Sequence, residues 1–183
     1  MLPIETLCAD TFRPFGDVIS AEESQRQFTI NDGFAQRFHD LAHIDVATAN
    51  GVPILSIFRS QPRQFPLSLH MLERHPLGSQ AFFPLSPQPF LVVVATGDEQ
   101  PDLTSIRCFL AKSGQGVNYA RGVWHHPLIA LGVESDFLVV DRAGADSDAN
   151  CDEYELGDLN ISIHYQPKDI HEPHCDEHTR PQK

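Results

Sequence analysis

An all-β barrel or sandwich is the fold that this 183-residue sequence predicts, and three observations predict it. Short apolar runs rich in β-branched residues recur, with FLVVVA at residues 90–95 the strongest. Turn residues separate these runs at short intervals. Almost nothing sustains a helical period. The length suits a single domain with a real core. Residues 1–163 read as that domain, and residues 164–183 read as a polar, His-rich tail.

Taken in order, the first twenty residues end in FRPFGDVIS, where Gly16 and Asp17 turn into a short strand. Residues 21–27 are polar, either a loop or one helical turn. Asn31-Asp32-Gly33 sits between Phe28-Thr29-Ile30 and the run starting at Phe34, which predicts a hairpin. Residues 36–45 carry Arg37, His39 and His43 among apolar neighbours and read as another strand. Residues 53–59 form a clear strand, and a Pro-containing connection follows. Residues 65–85, FPLSLHMLERHPLGSQAFFPL, read as strand, turn at Pro76-Leu77-Gly78-Ser79, and strand. Alternation places Leu67, Leu69, Met71, Glu73 and His75 on one face. Gln80 across the turn then stands near Glu73 and His75. Residues 90–95 lack alternation, so both faces are buried. Further strands are expected at residues 105–111 and 137–141. Asn150-Cys151-Asp152-Glu153 reads as a capping box opening a short helix.

Composition limits the function classes. A formal net charge of −12 argues against nucleic acid and anionic membranes as partners. No apolar run reaches the ~20 residues of a membrane span, and no basic-then-apolar leader opens the chain. The four cysteines lack C-x-x-C spacing and read as reduced thiols, which points to the cytoplasm. No G-x-S-x-G elbow supports a serine hydrolase.

Glu73, His75, Gln80 and His125 are the constellation best suited to chemistry. A paired acid and imidazole on one strand face, with a third polar group across a turn, can shuttle protons or hold a metal; the alternative is a solvated strand end. The second segment, GQGVNYARGVWHHPL at residues 114–128, adds Tyr119 before its turn and His125 after it. Period two puts His125, Pro127 and Ile129 on one face and His126 on the other. Trp124 reads as packing. Asp141 shares a face with Phe137 and Val139, either beside a substrate or in a structural salt bridge. Arg37, Arg59, Arg74 and Arg121 are candidates to grip a carboxylate. His171, His174, Cys175 and His178 have ligand-like spacing but read as solvated tail residues.

These two segments resemble the paired motifs of the cupin β-barrel, a double-stranded β-helix or jelly roll with few short helices. Glu73 stands at the first histidine position, His75 at the second, Gln80 at the glutamate and His125 at the last, with Ala120-Arg121-Gly122 in place of P-x-G. The departures are similar to a narrower group. HMLERHPLGSQAFFPL, GQGVNYARGVWHHPL, FLVVDR, NCDE and INDGFAQRFHDLA look like the ureidoglycolate lyase family, formerly called ureidoglycolate hydrolase, over residues 2–155. The resemblance implies cytoplasmic homodimers that split (S)-ureidoglycolate into glyoxylate and urea. It also implies nickel or another divalent metal, with Glu73, His75, Gln80 and His125 as its ligands, and no organic cofactor. On that reading Glu73, His75 and His125 move protons, and Gln80, Tyr119, Arg74, Arg121 and Asp141 bind substrate. The competing classes are a metal-dependent cupin oxygenase or isomerase and a non-catalytic small-acid-binding barrel. The dimer is expected to cover residues 90–95.

Overall fold

The computed structural model describes residues 1–145 and 150–166. Its strands are β1 Ile4–Thr6, β2 Gly16–Ile19, β3 Gln27–Ile30, β4 Ala35–Phe38, β5 Val52–Ser60, β6 Leu67–Ser68, β7 Met71–Arg74 and β8 Gln80–Pro84. They continue as β9 Phe90–Ala95, β10 Arg107–Ala111, β11 Gly116–Tyr119, β12 Trp124–His125, β13 Ile129–Ala130, β14 Ser135–Ala143, β15 Asp152–Glu155 and β16 Ser162–Ile163. Among the described residues, helix is confined to α1, Ala9–Phe12, and three single 3-10 turns. The all-β expectation with few short helices therefore holds. No helix among them is long and apolar enough to cross a membrane.

Two sheets form the barrel. One runs β1-β10-β9-β12-β7-β15, with β13 also on β9, and the other runs β2-β11-β8-β14-β5. Between them Phe12, Phe15, Phe82, Phe90, Phe109, Tyr119 and Phe137 pack with Val92, Val94, Val117 and Val139. The first sheet has a second apolar layer behind it, where Leu91, Val93, Cys108, Leu110, Trp124 and Ile129 meet Leu69, Leu72, Leu156 and Ile163. This explains the unbroken FLVVVA run. β9 lies mid-sheet between two cores, and all six of its residues are buried by the chain itself. The expectation that a partner covers residues 90–95 is therefore wrong, because no open face remains there.

Three other readings are corrected. NCDE opens no helix among the described residues; Asp152–Glu155 is β15, pairing with the edge of β7 from Asp152↔Arg74 to Glu155↔Met71. Strand structure in the 36–45 run stops at Phe38. Alternation does not continue through residues 69–70 or 126–128. Leu69 and Ile129 both join the second core, while Glu73 and His125 face into the barrel. Each break occurs where the chain leaves one short strand and enters another.

The NDG hairpin is present, with β3 and β4 in register from Gln27↔Phe38 to Ile30↔Ala35. Asn31, Asp32 and Gly33 take φ of 53°, 54° and 95°, a left-handed run that Asn, Asp and Gly tolerate best. The tail residues His171, His174, Cys175 and His178 lie outside the described residues.

The outer face of the second sheet is apolar. Phe83 on β8, Leu138 on β14 and Ile57 on β5 stand in cross-strand register. Ala81, Val140 and Leu55 form the adjacent row. Leu55 is 68% exposed and Ile57 54% exposed. A sheet with one packed face ordinarily turns polar side chains outward.

Candidate functional site

The strands bring the predicted cluster together at one end of the barrel. β12 inserts between β9 and β7, so His125 sits directly opposite Glu73 in the ladder. His75 follows β7 by one residue. On the facing sheet Gln80 of β8 is paired with Tyr119 of β11. His125 Nε2 lies 3.5 Å from Glu73 Oε1, an ion-pair distance that is long for a hydrogen bond. The His75 and His125 ring centroids are 5.2 Å apart. Tyr119 stacks on His125 at 4.2 Å with 20° between the planes, which fixes that ring.

Backbone carbonyls set the tautomers. His75 Nδ1–H donates to Asn150 O at 2.7 Å, and His125 Nδ1–H donates to Val123 O at 3.0 Å. Each ring thus keeps its Nε2 lone pair. Both Nε2 atoms are buried and lack a hydrogen-bond partner among the described residues, as do Gln80 Oε1 and Asp141 Oδ1. Buried polar atoms without partners are rare in folded proteins.

The charges are mutually tuned. Burial pushes the Glu73 carboxyl pKa up, but the nearby His125, with His75 and His126 adding to it, outweighs burial and holds it below its ordinary value. Burial and the adjacent His125 lower the pKa of His75, against Asn150 O, Glu73 and Gln80, so the ring favours its neutral form. Burial raises the Asp141 carboxyl, with Gln80 and His75 opposing. Burial also raises the Tyr119 hydroxyl well above its usual range. His126 is buried too, bonded through Nδ1 to Pro127 O, and burial lowers its pKa.

A cavity of about 180 Å³ opens in front of His75, lined also by Ser79, Gln80, Asp141, Arg142, Asn150 and Cys151. Glu73, His125 and Tyr119 do not line it but adjoin His75 or Gln80, which do. The predicted arginines lie elsewhere. Arg74 pairs with Asp152 at 2.8 Å and lies 5.0 Å from the Trp124 ring centroid. Arg121 pairs with Asp45 at 3.5 Å. Arg59 pairs with Asp136 at 2.8 Å, and Arg37 is on the exposed hairpin strand. Arg142, which was not among the sequence candidates, is the arginine that lines the cavity among the described residues. The sequence signals for it were indirect: a cation at a strand end and a scatter of distant glycines. Trp124 is core, buried with Nε1–H donating to Asp98 O at 3.0 Å.

Glu73, His75 and His125 present one ligand atom each, all within 4.8 Å of one another. Two imidazole nitrogens and a carboxylate suit a divalent transition metal. Carbonyl partners on the far nitrogens are the usual support for such ligands. The two unpartnered Nε2 atoms fit the same reading.

The ureidoglycolate lyase family profile matches residues 1–164. A ureidoglycolate lyase of Burkholderia mallei (strain NCTC 10229) is 57% identical over 143 residues, covering 78% of this chain and 83% of its own. One of Burkholderia cepacia is 52% identical over 158 residues, covering 85% and 86%. Among solved structures, RmlC from Streptococcus suis in complex with dTDP-D-xylose aligns over 52% of this chain and 46% of that one, at 9% identity and a TM-score of 0.41.

Proposed function

Because the chain belongs to the ureidoglycolate lyase family, we propose that the centre of Glu73, His75 and His125 at the barrel mouth cleaves (S)-ureidoglycolate to glyoxylate and urea. The protein is a carbon–nitrogen lyase. One observation carries the assignment of the site: three ionisable donors on or next to two adjacent strands converge beside a polar cavity, with both imidazole Nε2 atoms left unpartnered.

The substrate is a hemiaminal next to a carboxylate. Its hydroxyl oxygen must lose a proton as the C=O bond of glyoxylate forms. The C–N electron pair leaves on the urea nitrogen, which then takes up a proton. His75 is the member of the trio at the cavity wall. With no metal held, its neutral Nε2 accepts the hydroxyl proton, and the Glu73 carboxylate stabilises the cation that forms. Asp141, its pKa raised by burial, is suited to return a proton to the departing nitrogen. Gln80 recognises the urea amide, and Tyr119 holds His125 in place. With a divalent cation, nickel in our reading, held there instead, Glu73, His75 and His125 would be its ligands with Gln80 Oε1 alongside, and the ion rather than the His75 lone pair would supply positive charge against developing negative charge on a substrate oxygen.

The working form is a cytoplasmic homodimer. Support for the compartment comes from the free thiols Cys8, Cys108 and Cys151. Support for the dimer comes from the apolar rows on β5, β14 and β8, whose exposed Leu55 and Ile57 a two-fold contact would cover.

Release of urea and glyoxylate by wild type, His75→Ala and His125→Ala, before and after chelation and nickel addition, tests the centre. Loss of turnover by more than about 100-fold in both variants is expected. Wild-type rates in either one refute its role, and chelator-insensitive turnover with no bound metal refutes the ion.

A further inference from the structure

We infer that Arg142 is the residue that grips the substrate carboxylate and so sets the enzyme's preference for an acid; this rests on the lyase reading of the same cavity. Arg142 is 7% exposed and sits at the end of β14, next to Asp141. Its Nε and Nη2 both donate to Thr48 O, at 3.0 and 2.9 Å, and Nη2 also reaches Ala49 O at 3.2 Å. Nη1 is buried and has no hydrogen-bond partner among the described residues. The described residues also provide no carboxylate in salt-bridge contact with this guanidinium, whereas Arg59, Arg74, Arg107 and Arg121 each have one.

The chain makes room for this cation at three separate places. A β-carbon at Gly51 would stand 2.3 Å from Arg142 Nε, and one at Gly78 would stand 2.8 Å from its Cβ. One at Gly144 would stand 2.6 Å from both Nη1 and Nη2. A side chain at Gly51 or Gly144 would press on the guanidinium, and one at Gly78 on the aliphatic stem that carries it. A buried charge held only by neutral carbonyls is costly unless an anion completes it.

The unpartnered atoms of the residues that line the cavity also sort by chemistry. Gln80 Oε1 and Asp141 Oδ1 accept, and Arg142 Nη1 donates. Ureidoglycolate has N–H donors at its urea end and a carboxylate at the other. The orientation that matches both sets puts the urea toward Gln80 and Asp141 and the carboxylate toward Arg142. Arginine suits the carboxylate better than lysine because its planar fork can bond Thr48 and a ligand together.

The test compares ureidoglycolate with N-(hydroxymethyl)urea, the same hemiaminal without the carboxylate. For Arg142→Met, kcat/KM on ureidoglycolate is expected to fall about 100-fold, the value of a charge-assisted hydrogen bond. Turnover of the neutral compound should stay near the wild-type rate, and Arg142→Lys should recover part of the loss on the acid alone. Equal losses on both substrates would mean that Arg142 merely ties down the segment at Thr48, and would overturn the inference. Should Arg142→Met fail to fold, the wild type decides: no preference for the acid over the neutral compound overturns it as well. If the wild type releases urea from neither compound, the lyase reading fails separately. Calorimetric binding of glyoxylate then decides for Arg142, with weaker binding by Arg142→Lys supporting the assignment and unchanged binding refuting it.

Discussion

Replacing Leu55 and Ile57 by serine should separate the proposed dimer while leaving each protomer folded. Both side chains point away from the barrel on β5, in register with Val140 and Leu138. With 68% and 54% of their surfaces exposed, they have more than half of their burial still to gain. Full burial of a Leu or Ile side chain is worth ~1.5–3 kcal/mol, so each would contribute about 1–2 kcal/mol on association. A two-fold contact uses both residues from both protomers. The double variant should therefore lose about 4–7 kcal/mol, which weakens the dimer by about three to five powers of ten. Sedimentation velocity over a dilution series should show a wild-type dimer and a variant monomer at micromolar concentration. Because the two residues are exposed in the protomer, its urea-unfolding midpoint should barely move. A wild type that sediments as a monomer, or a variant that dimerises as tightly, would refute the reasoning.

Two further outcomes follow from the site. Tyr119→Phe keeps the ring stacked on His125, so stability should change by less than about 1 kcal/mol, whereas Tyr119→Ala should cost about 3–5 kcal/mol by urea denaturation; equal effects would show that the hydroxyl, not the ring, matters. Burial lowers the pKa of His75 and His126 from 6.5, so the unfolded chain binds protons first as the pH falls. The stability these groups contribute is complete above that value and is lost as pH drops through their folded values. The unfolding midpoint should hold between pH 8 and about 6.5 and then decline, less steeply in His126→Asn; a midpoint that is flat down to pH 5 would contradict this.

Much of this was readable from residue order. The strands at residues 53–59 and 90–95, the NDG hairpin and the turn at residues 76–79 announce themselves through alternation and turn chemistry, and two-residue periodicity alone puts Glu73 and His75 together. What escaped was set by tertiary packing. Residues 152–155 carry a helix-start pattern, but the edge of β7 offers them a ladder, and pairing overrides the local signal. Alternation misassigned Ile129 because the chain changes strands between His125 and that residue. It also gave no reason to favour Arg142, whose placement depends on Gly51, Gly78 and Gly144, far apart in sequence. The carbonyls that fix the imidazole tautomers carry no residue signature at all.

The pairing of His125 with Glu73 in the β7–β12 ladder has a practical corollary. Main-chain bonds, not the groups themselves, set how far apart these two positions stand. Exchanging either for cysteine, aspartate or a second histidine should thus alter which ion or proton chemistry the barrel favours without moving the scaffold. Inserting one residue between Gly122 and Trp124 would do the reverse: it would keep every functional group and point the imidazole into the Trp124 layer. Redesign of this centre should begin with substitutions and leave loop lengths alone.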